Sequence, residues 1–391
     1  MKLKSLLKEI FATKPTPIQN IITVNPATKF IKGRALVSYL KDSALWEEGD
    51  LRFQGHSNNW ESREIVHVFL KLGYIVDVID CLYNGPLPET NYDVIFDIYI
   101  NLQRMAPFNS RAVKLLHLTG AYFKYSNAAE LKRVSDLETR KNGLYTPKRL
   151  VANTELNERS LKLSHKISLI GNTHTLHTYP DEYHHKISLV SVSGSQLNFL
   201  KSVRDYISDK KEFLWLFGGG VVHKGLDLLL EVFSKNRNLV LNIVGDIRNE
   251  KDFIQLYQHE LTKLPNIKAH GYLNLSDRKF IEITNTSFCF IAPSCSEGMS
   301  PAVATCLQIG LYPIISRDTG VTLPEDAGTY LESCSIEEIE SAIFGLLKMK
   351  DRDIISQIER CQAMALKTFN RDQFTSNITR FIKGSLLDSG E

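Results

Sequence analysis

Phe213-Leu214-Trp215-Leu216-Phe217 is apolar at every position. A strand with one wet face alternates apolar and polar residues. A strand buried on both faces does not, and such strands belong to parallel sheets covered by helices on each side. A glycine turn follows, and then Leu226 to Phe233 reads as an amphipathic helix. Strand, turn and helix in that order are the unit of a parallel α/β sheet.

The unit recurs. Ala35 to Leu40, Tyr74 to Asp80, Asp93 to Ile100, Val113 to Leu118 and Ser168 to Asn172 read as strands of a first sheet. Between the first two, a helix carries Ile65, Val66, Phe69 and Leu70, with Gly73 at its stop. Leu239 to Val244, Ile267 to Tyr272, Phe288 to Ala292 and Tyr312 to Ser316 continue the second sheet, and Ile336 to Ile382 reads as mainly helical. The expected fold is α/β with two Rossmann-like domains, the boundary falling between about 195 and 212. Residues 1–200 form the first domain, 201–370 the second, and 371–391 a terminal helix.

Composition narrows the function classes. The chain has 391 residues, 43% apolar and 23% charged, and a net charge of +3. It has no basic excess of the kind that nucleic-acid binding requires. Six cysteines at 81, 289, 295, 306, 334 and 361 make no Cys-x-x-Cys pair and read as buried thiols of a cytoplasmic protein. There is no apolar run long enough for a spanning helix and no secretory signal. Leu3, Leu6, Leu7, Ile10 and Phe11, beside Lys2, Lys4 and Lys8, make a basic amphipathic pattern. It can rest on an anionic membrane face or simply pack on the domain.

Two loops carry the chemistry. The first runs Gly218-Gly219-Gly220-Val221-Val222-His223-Lys224-Gly225 between strand and helix. Glycines permit close backbone approach, and the following helix start is expected to favour phosphate by about 0.3–1 kcal/mol. Lys224 adds a charge-assisted bond of about 1.5–3 kcal/mol. The loop is neither a Walker loop, since Gly225 follows the lysine, nor a dinucleotide fingerprint, since His223 occupies the third glycine's place. Tight packing is the alternative role for the triple glycine. The second loop is Pro293-Ser294-Cys295-Ser296-Glu297-Gly298-Met299-Ser300-Pro301. Both loops follow strands, where ligands of open α/β sheets bind. Glu297, Ser300 and the amides of Gly298 and Met299 suit sugar hydroxyls, although Glu297 also fits a solvated helix-start carboxylate.

From Phe213 to Ser316 the chain resembles the donor-binding domain of family 4 glycosyltransferases of the GT-B fold. The matching residues are Phe217-Gly218, Lys224-Gly225-Leu226-Asp227-Leu228-Leu229, Ile243-Val244-Gly245-Asp246, His270-Gly271-Tyr272, Pro293-Ser294 through Glu297-Gly298, Gly310 and Pro313-Ile314-Ile315. The resemblance implies that Lys224 contacts the donor diphosphate and Glu297 the transferred sugar. It implies that Gly271 and Tyr272 border the base, and that Asp246 lies in the donor site. It implies terminal helices crossing back to the first domain, transfer with retention, no metal requirement and no cofactor. The partners it implies are a nucleotide-sugar donor and a glycan or lipid-linked acceptor, in bacterial surface polysaccharide synthesis at the cytosolic membrane face. Two departures stand out: the glycine loop lacks the family's arginine, and Thr305 stands where a second glutamate binds ribose.

In the first domain, His56, Ser57, Asn58 and Asn59 at a strand-to-helix turn, with His117 and Thr119 at a strand end, are the acceptor-side candidates. His117 either meets the sugar or shuttles a proton, or is a satisfied structural histidine. His174, His177, His184 and His185 lack the spacing of a standard ligand set. Asp351-Arg352-Asp353 reads as solvated charges. The alternative functions are a non-catalytic sugar-nucleotide or glycan-binding subunit and a nucleotide-sugar epimerase.

Overall fold

A computed structural model describes residues 20–50, 52–55, 57–197 and 210–387. The basic N-terminal pattern and His56 lie outside the described residues.

The first sheet holds β1 (Ile22–Val24), β2 (Gly33–Tyr39), β3 (Tyr74–Asp80), β4 (Val94–Asp97), β5 (Val113–Leu118), β6 (Lys166–Ile170) and β7 (Ile187–Val190). Their order is β1-β3-β2-β4-β5-β6-β7, parallel throughout except β1 against β3. The second holds β8 (Glu212–Leu216), β9 (Val240–Val244), β10 (Ile267–Ala269), β11 (Cys289–Ala292), β12 (Tyr312–Ser316) and β13 (Thr329–Leu331). Its order, β10-β9-β8-β11-β12-β13, is all parallel. That is the doubly wound order, whose ligand crevice lies where β8 and β11 part to opposite sides.

The helices that matter here are α1 (Ser57–Lys71), α2 (Phe123–Lys141), α3 (Leu226–Lys235), α4 (Pro301–Ile309), α5 (Asp351–Thr368) and α6 (Arg371–Leu387). α5 packs on α4 and β12, whereas α6 packs on α1 and on β5, β6 and β7. α6 buries Phe374, Ile378 and Ile382 there, so this helix lies against the first sheet although it follows the second in sequence. Three strands escape the sequence pattern: β1, β7 and β13 have only three or four residues each. Such short runs are set by the neighbour they pair with, not by their own periodicity. The expected strand Asp93 to Ile100 stops at Asp97, whose Oδ2 accepts the Leu102 amide at 2.8 Å and opens a short helix.

α2 ties the two sheets together. Its Val134 and Leu137, with Tyr145 beyond it, join the apolar cluster of Phe213, Trp215 and Leu229. Arg140 meets Asp227 at 2.5 Å, and Asp227 is fully buried. Lys141 meets Glu260 at 2.6 Å. Elsewhere along the seam, a Cβ on Gly298 would lie 2.5 Å from the Thr119 carbonyl oxygen and 2.6 Å from that of Ile170. Both are backbone atoms at the carboxyl ends of β5 and β6, so glycine at 298 sets how closely the domains approach. Gly298→Ala is expected to cost about 1–3 kcal/mol in urea unfolding and to raise the radius of gyration in X-ray scattering. A variant as stable and as compact as the wild type would show that this contact does not set the spacing.

Candidate functional site

A cleft of about 390 Å³ opens at the carboxyl ends of β8 and β11 and faces the first domain. Its second-domain wall includes Gly218, Gly219, Lys224, Asp246, Tyr272, Ser294 and the run Glu297 to Val303, with Thr305 further along α4. Ser57, Asn58, Arg149, Ile170, Val192 and Ser195 face them, and Thr119 borders the same space. A second cavity of about 520 Å³ lies on the first-domain side. It shares Thr119, Arg149, Lys224, Glu297 and Gly298 with the cleft.

Lys224 and Glu297 form an ion pair at the cleft's floor, both side chains largely buried. Ser294 Oγ donates to Glu297 Oε1 at 2.7 Å. Burial pushes the Glu297 carboxyl up, but Lys224 and Ser294 outweigh it and hold it below the usual carboxylate range. Burial lowers the Lys224 ammonium and the charge of Arg149 adds to this, while Glu297 opposes both. Each partner answers a charge that would otherwise be costly to bury. The two loops are bolted together: the Cys295 amide donates to the His223 carbonyl at 2.9 Å, and the His223 ring meets the Ser296 carbonyl at 2.5 Å.

The glycine loop departs from the expected phosphate cradle. The amides of Gly220 and Val221 donate to Glu250 Oε1 at 3.1 and 3.0 Å. They already hold an anion, one supplied by the protein. The start of α3 is also not at the cleft, because Asp227 in its first turn faces Arg140 of α2. The helix whose first turn borders the cleft is α4. Among the described residues, no protein acceptor is bonded to the amides of Gly298 and Met299 ahead of it. Ser300 is buried and donates its own amide to the Thr319 carbonyl at 2.9 Å.

The other expected residues divide. Asp246 lines the cleft but is paired with Arg248 at 2.8 Å, which lowers its carboxyl to about 2. Tyr272 lines it and is 57% exposed, a free ring face at the rim. Gly271 does not line it; its carbonyl accepts the Gly245 amide at 2.9 Å and so sets the Tyr272 loop. Thr305 lines it and its hydroxyl meets Ser195 Oγ at 2.8 Å. Asn58 and Thr119 line the cleft, whereas Asn59 one helical step away does not.

The expectation for His117 is corrected. The ring is fully buried beside Tyr39 and Phe96, with Nδ1 2.8 Å from Ser168 Oγ, and it does not reach the cleft. Burial lowers it to about 3, so the ring stays neutral at working pH. The end of the strand is the reason: Thr119 lies past β5 and borders the cleft, whereas His117 is still within β5, under the sheet. His174 bonds Asp318 at 3.0 Å across the domains, and His184 bonds the Tyr179 carbonyl at 2.9 Å. Sequence reasoning missed Arg149, Glu250 and Ser195. The basic coil Pro147-Lys148-Arg149 gave the only local hint for the first.

No helix among the described residues is long and apolar enough to cross a membrane. No curated protein sequence matches the chain. Among solved structures, sucrose-phosphate synthase from Thermosynechococcus elongatus is similar at a TM-score of 0.62 and 15% identity, over 90% of this chain and 99% of that one. HepE from Anabaena, solved in complex with UDP-glucose, is similar at 0.58 and 12%, over 90% and 100%. The catalytic domain of starch synthase IV from Arabidopsis thaliana, bound to ADP and acarbose, is similar at 0.51 and 12%, over 89% and 80%. The fold is that of the GT-B glycosyltransferases, and residues 200–364 match the family model of glycosyl transferases group 1.

Proposed function

We propose that this chain is a glycosyltransferase, of the family 4 type, moving a hexosyl or related group from a nucleotide-sugar to a hydroxyl of a glycan or glycolipid. The observation that carries the proposal is the buried Lys224–Glu297 pair at the parting of β8 and β11, facing the other domain across a cleft. The family match over 200–364 covers both residues, and the complex of HepE with UDP-glucose supports a sugar nucleotide as the donor. The base rests near Tyr272, the ribose near Thr305 and Ser195, the diphosphate on Lys224 and the sugar on Glu297 and the Gly298 and Met299 amides. Entry of the diphosphate gives Lys224 a new anionic partner and releases Glu297 to the sugar hydroxyls. The acceptor lies on the first-domain side, beside Thr119.

Apart from Glu297, the only carboxylate lining the cleft among the described residues is Asp246, which is paired with Arg248. That supports transfer with retention on the leaving-group face. The bond from the anomeric carbon to phosphate breaks, the acceptor oxygen bonds to that carbon, and its proton passes to the departing phosphate oxygen. Fixed positive charge offsets the charge that grows on the diphosphate, so no metal or other cofactor is invoked. The setting proposed is bacterial surface polysaccharide synthesis in the cytoplasm, with peripheral contact at the inner membrane face.

A thermal-shift panel of UDP, GDP, ADP and CMP with their sugar conjugates, with and without EDTA, tests the donor. At ~100 times its dissociation constant the right nucleotide stabilises by about 2.7 kcal/mol, and EDTA leaves the shift unchanged. The absence of any shift would sink the donor site. Separately, Lys224→Met is expected to cost about 3–5 kcal/mol, because it leaves Glu297 buried alone. Adding Glu297→Gln recovers most of that stability without restoring turnover. Recovery of both would show the pair to be structural only. Glu297→Gln by itself should lower kcat by about a hundredfold or more, and an unchanged kcat would remove Glu297 from the reaction.

A further inference from the structure

Among the described residues, two cations line the cleft, and only one of them is paired. Lys224 has Glu297. Arg149, from the coil that follows α2 in the first domain, is exposed, lines both cavities, and has no carboxylate or carbonyl bonded to its guanidinium among the described residues. Its placement is nevertheless closely built. The Lys148 and Arg149 amides both donate to Glu130 Oε1 at 2.8 Å. The other Glu130 oxygen is 3.4 Å from His223 Nδ1, and both groups are buried. Tyr145 bonds Glu250 at 2.5 Å, and the Thr146 amide bonds Asp252 at 2.9 Å. The backbone that carries Arg149 is therefore fastened to the second domain on both sides of the glycine loop.

The side chain then crosses that loop. A Cβ at residue 220 would fall on the Cγ and Cδ of Arg149, and Gly220 has φ of +77°. The third glycine makes room for this arginine, a role that phosphate binding leaves unexplained because the Gly220 amide is occupied by Glu250. The charges agree. Lys224, Glu297 and Arg149 sum to one uncompensated positive charge, whereas Asp246 is neutralised by Arg248. An incoming diphosphate adds the anion that Arg149 lacks.

We propose that Arg149 is the second cation of the diphosphate site, so that the donor's diphosphate is held between the two domains instead of by the second domain alone. This rests on the reading of the cleft as a nucleotide-sugar site. An arginine fork matches phosphate oxygens in two-point contact, which a lysine cannot reproduce. The donor diphosphate also bridges the seam, so binding it draws the domains together.

The test measures binding of UDP, GDP and ADP, each beside its own nucleoside, to the wild type, Arg149→Ala, Arg149→Lys and Lys224→Met by calorimetry. The expected result is that Arg149→Ala weakens the preferred nucleoside diphosphate by about ten- to a hundredfold, leaves the nucleoside within about twofold, and that Arg149→Lys recovers only part. The melting temperature of free Arg149→Ala should match the wild type, since the side chain is exposed. If Arg149→Ala binds the diphosphate as the wild type does while Lys224→Met does not, Arg149 is not in the diphosphate site and the cleft reading stands. A raised acceptor KM with unchanged diphosphate affinity would place it on the acceptor side and overturn the proposal. If the wild type binds no nucleoside diphosphate, the cleft reading falls and this proposal falls with it.

Discussion

Asp227 is fully buried at the start of a second-domain helix and its partner, Arg140, comes from the first domain. A buried carboxylate without a partner is costly, and removing one member of such a pair typically costs about 3–5 kcal/mol. The two domains are therefore not merely adjacent. Val134, Leu137 and Tyr145 complete the second domain's apolar cluster from outside it, which makes the seam part of a core. The cleft's shape, the place of Arg149 and the use of the glycine loop all follow from α2 lying where it does.

That seam redistributes roles along the glycine loop. A triple glycine after a buried strand suggests amides reserved for phosphate. Here Glu250 takes two of those amides and is itself held by Tyr145 from the other domain. What the cleft presents instead is charge at the tips of side chains, Lys224 from one domain and Arg149 from the other, beside the first turn of α4. Such a site is assembled by docking and not by one motif.

His117 illustrates how a residue at the right place in sequence can be wrong in space. It ends a strand that points at the cleft, yet the ring turns under the sheet and bonds Ser168. A desolvated imidazole is held neutral, and it serves the packing of Tyr39 and Phe96. Thr119, just past the strand end, has the aspect that His117 was expected to have.

The sequence by itself determined the two parallel sheets, because strands buried on both faces must be apolar throughout and runs such as Phe213 to Phe217 admit no other environment. It also marked Lys224 and Glu297 as candidate ligand contacts, since each sits in a loop that follows such a strand, but not that the two pair with each other. The short edge strands β1, β7 and β13 escaped it because runs of three or four residues carry too little period to read alone. Only the tertiary structure decided that Glu250 fills the glycine loop, that Asp227 belongs to the seam, that Gly298 meets the Thr119 and Ile170 carbonyls, and that Arg149 reaches across Gly220. Each of these is a contact between segments far apart in the chain. The local pattern records which side chains can be buried, whereas a partner's identity is fixed only when the two domains are in register.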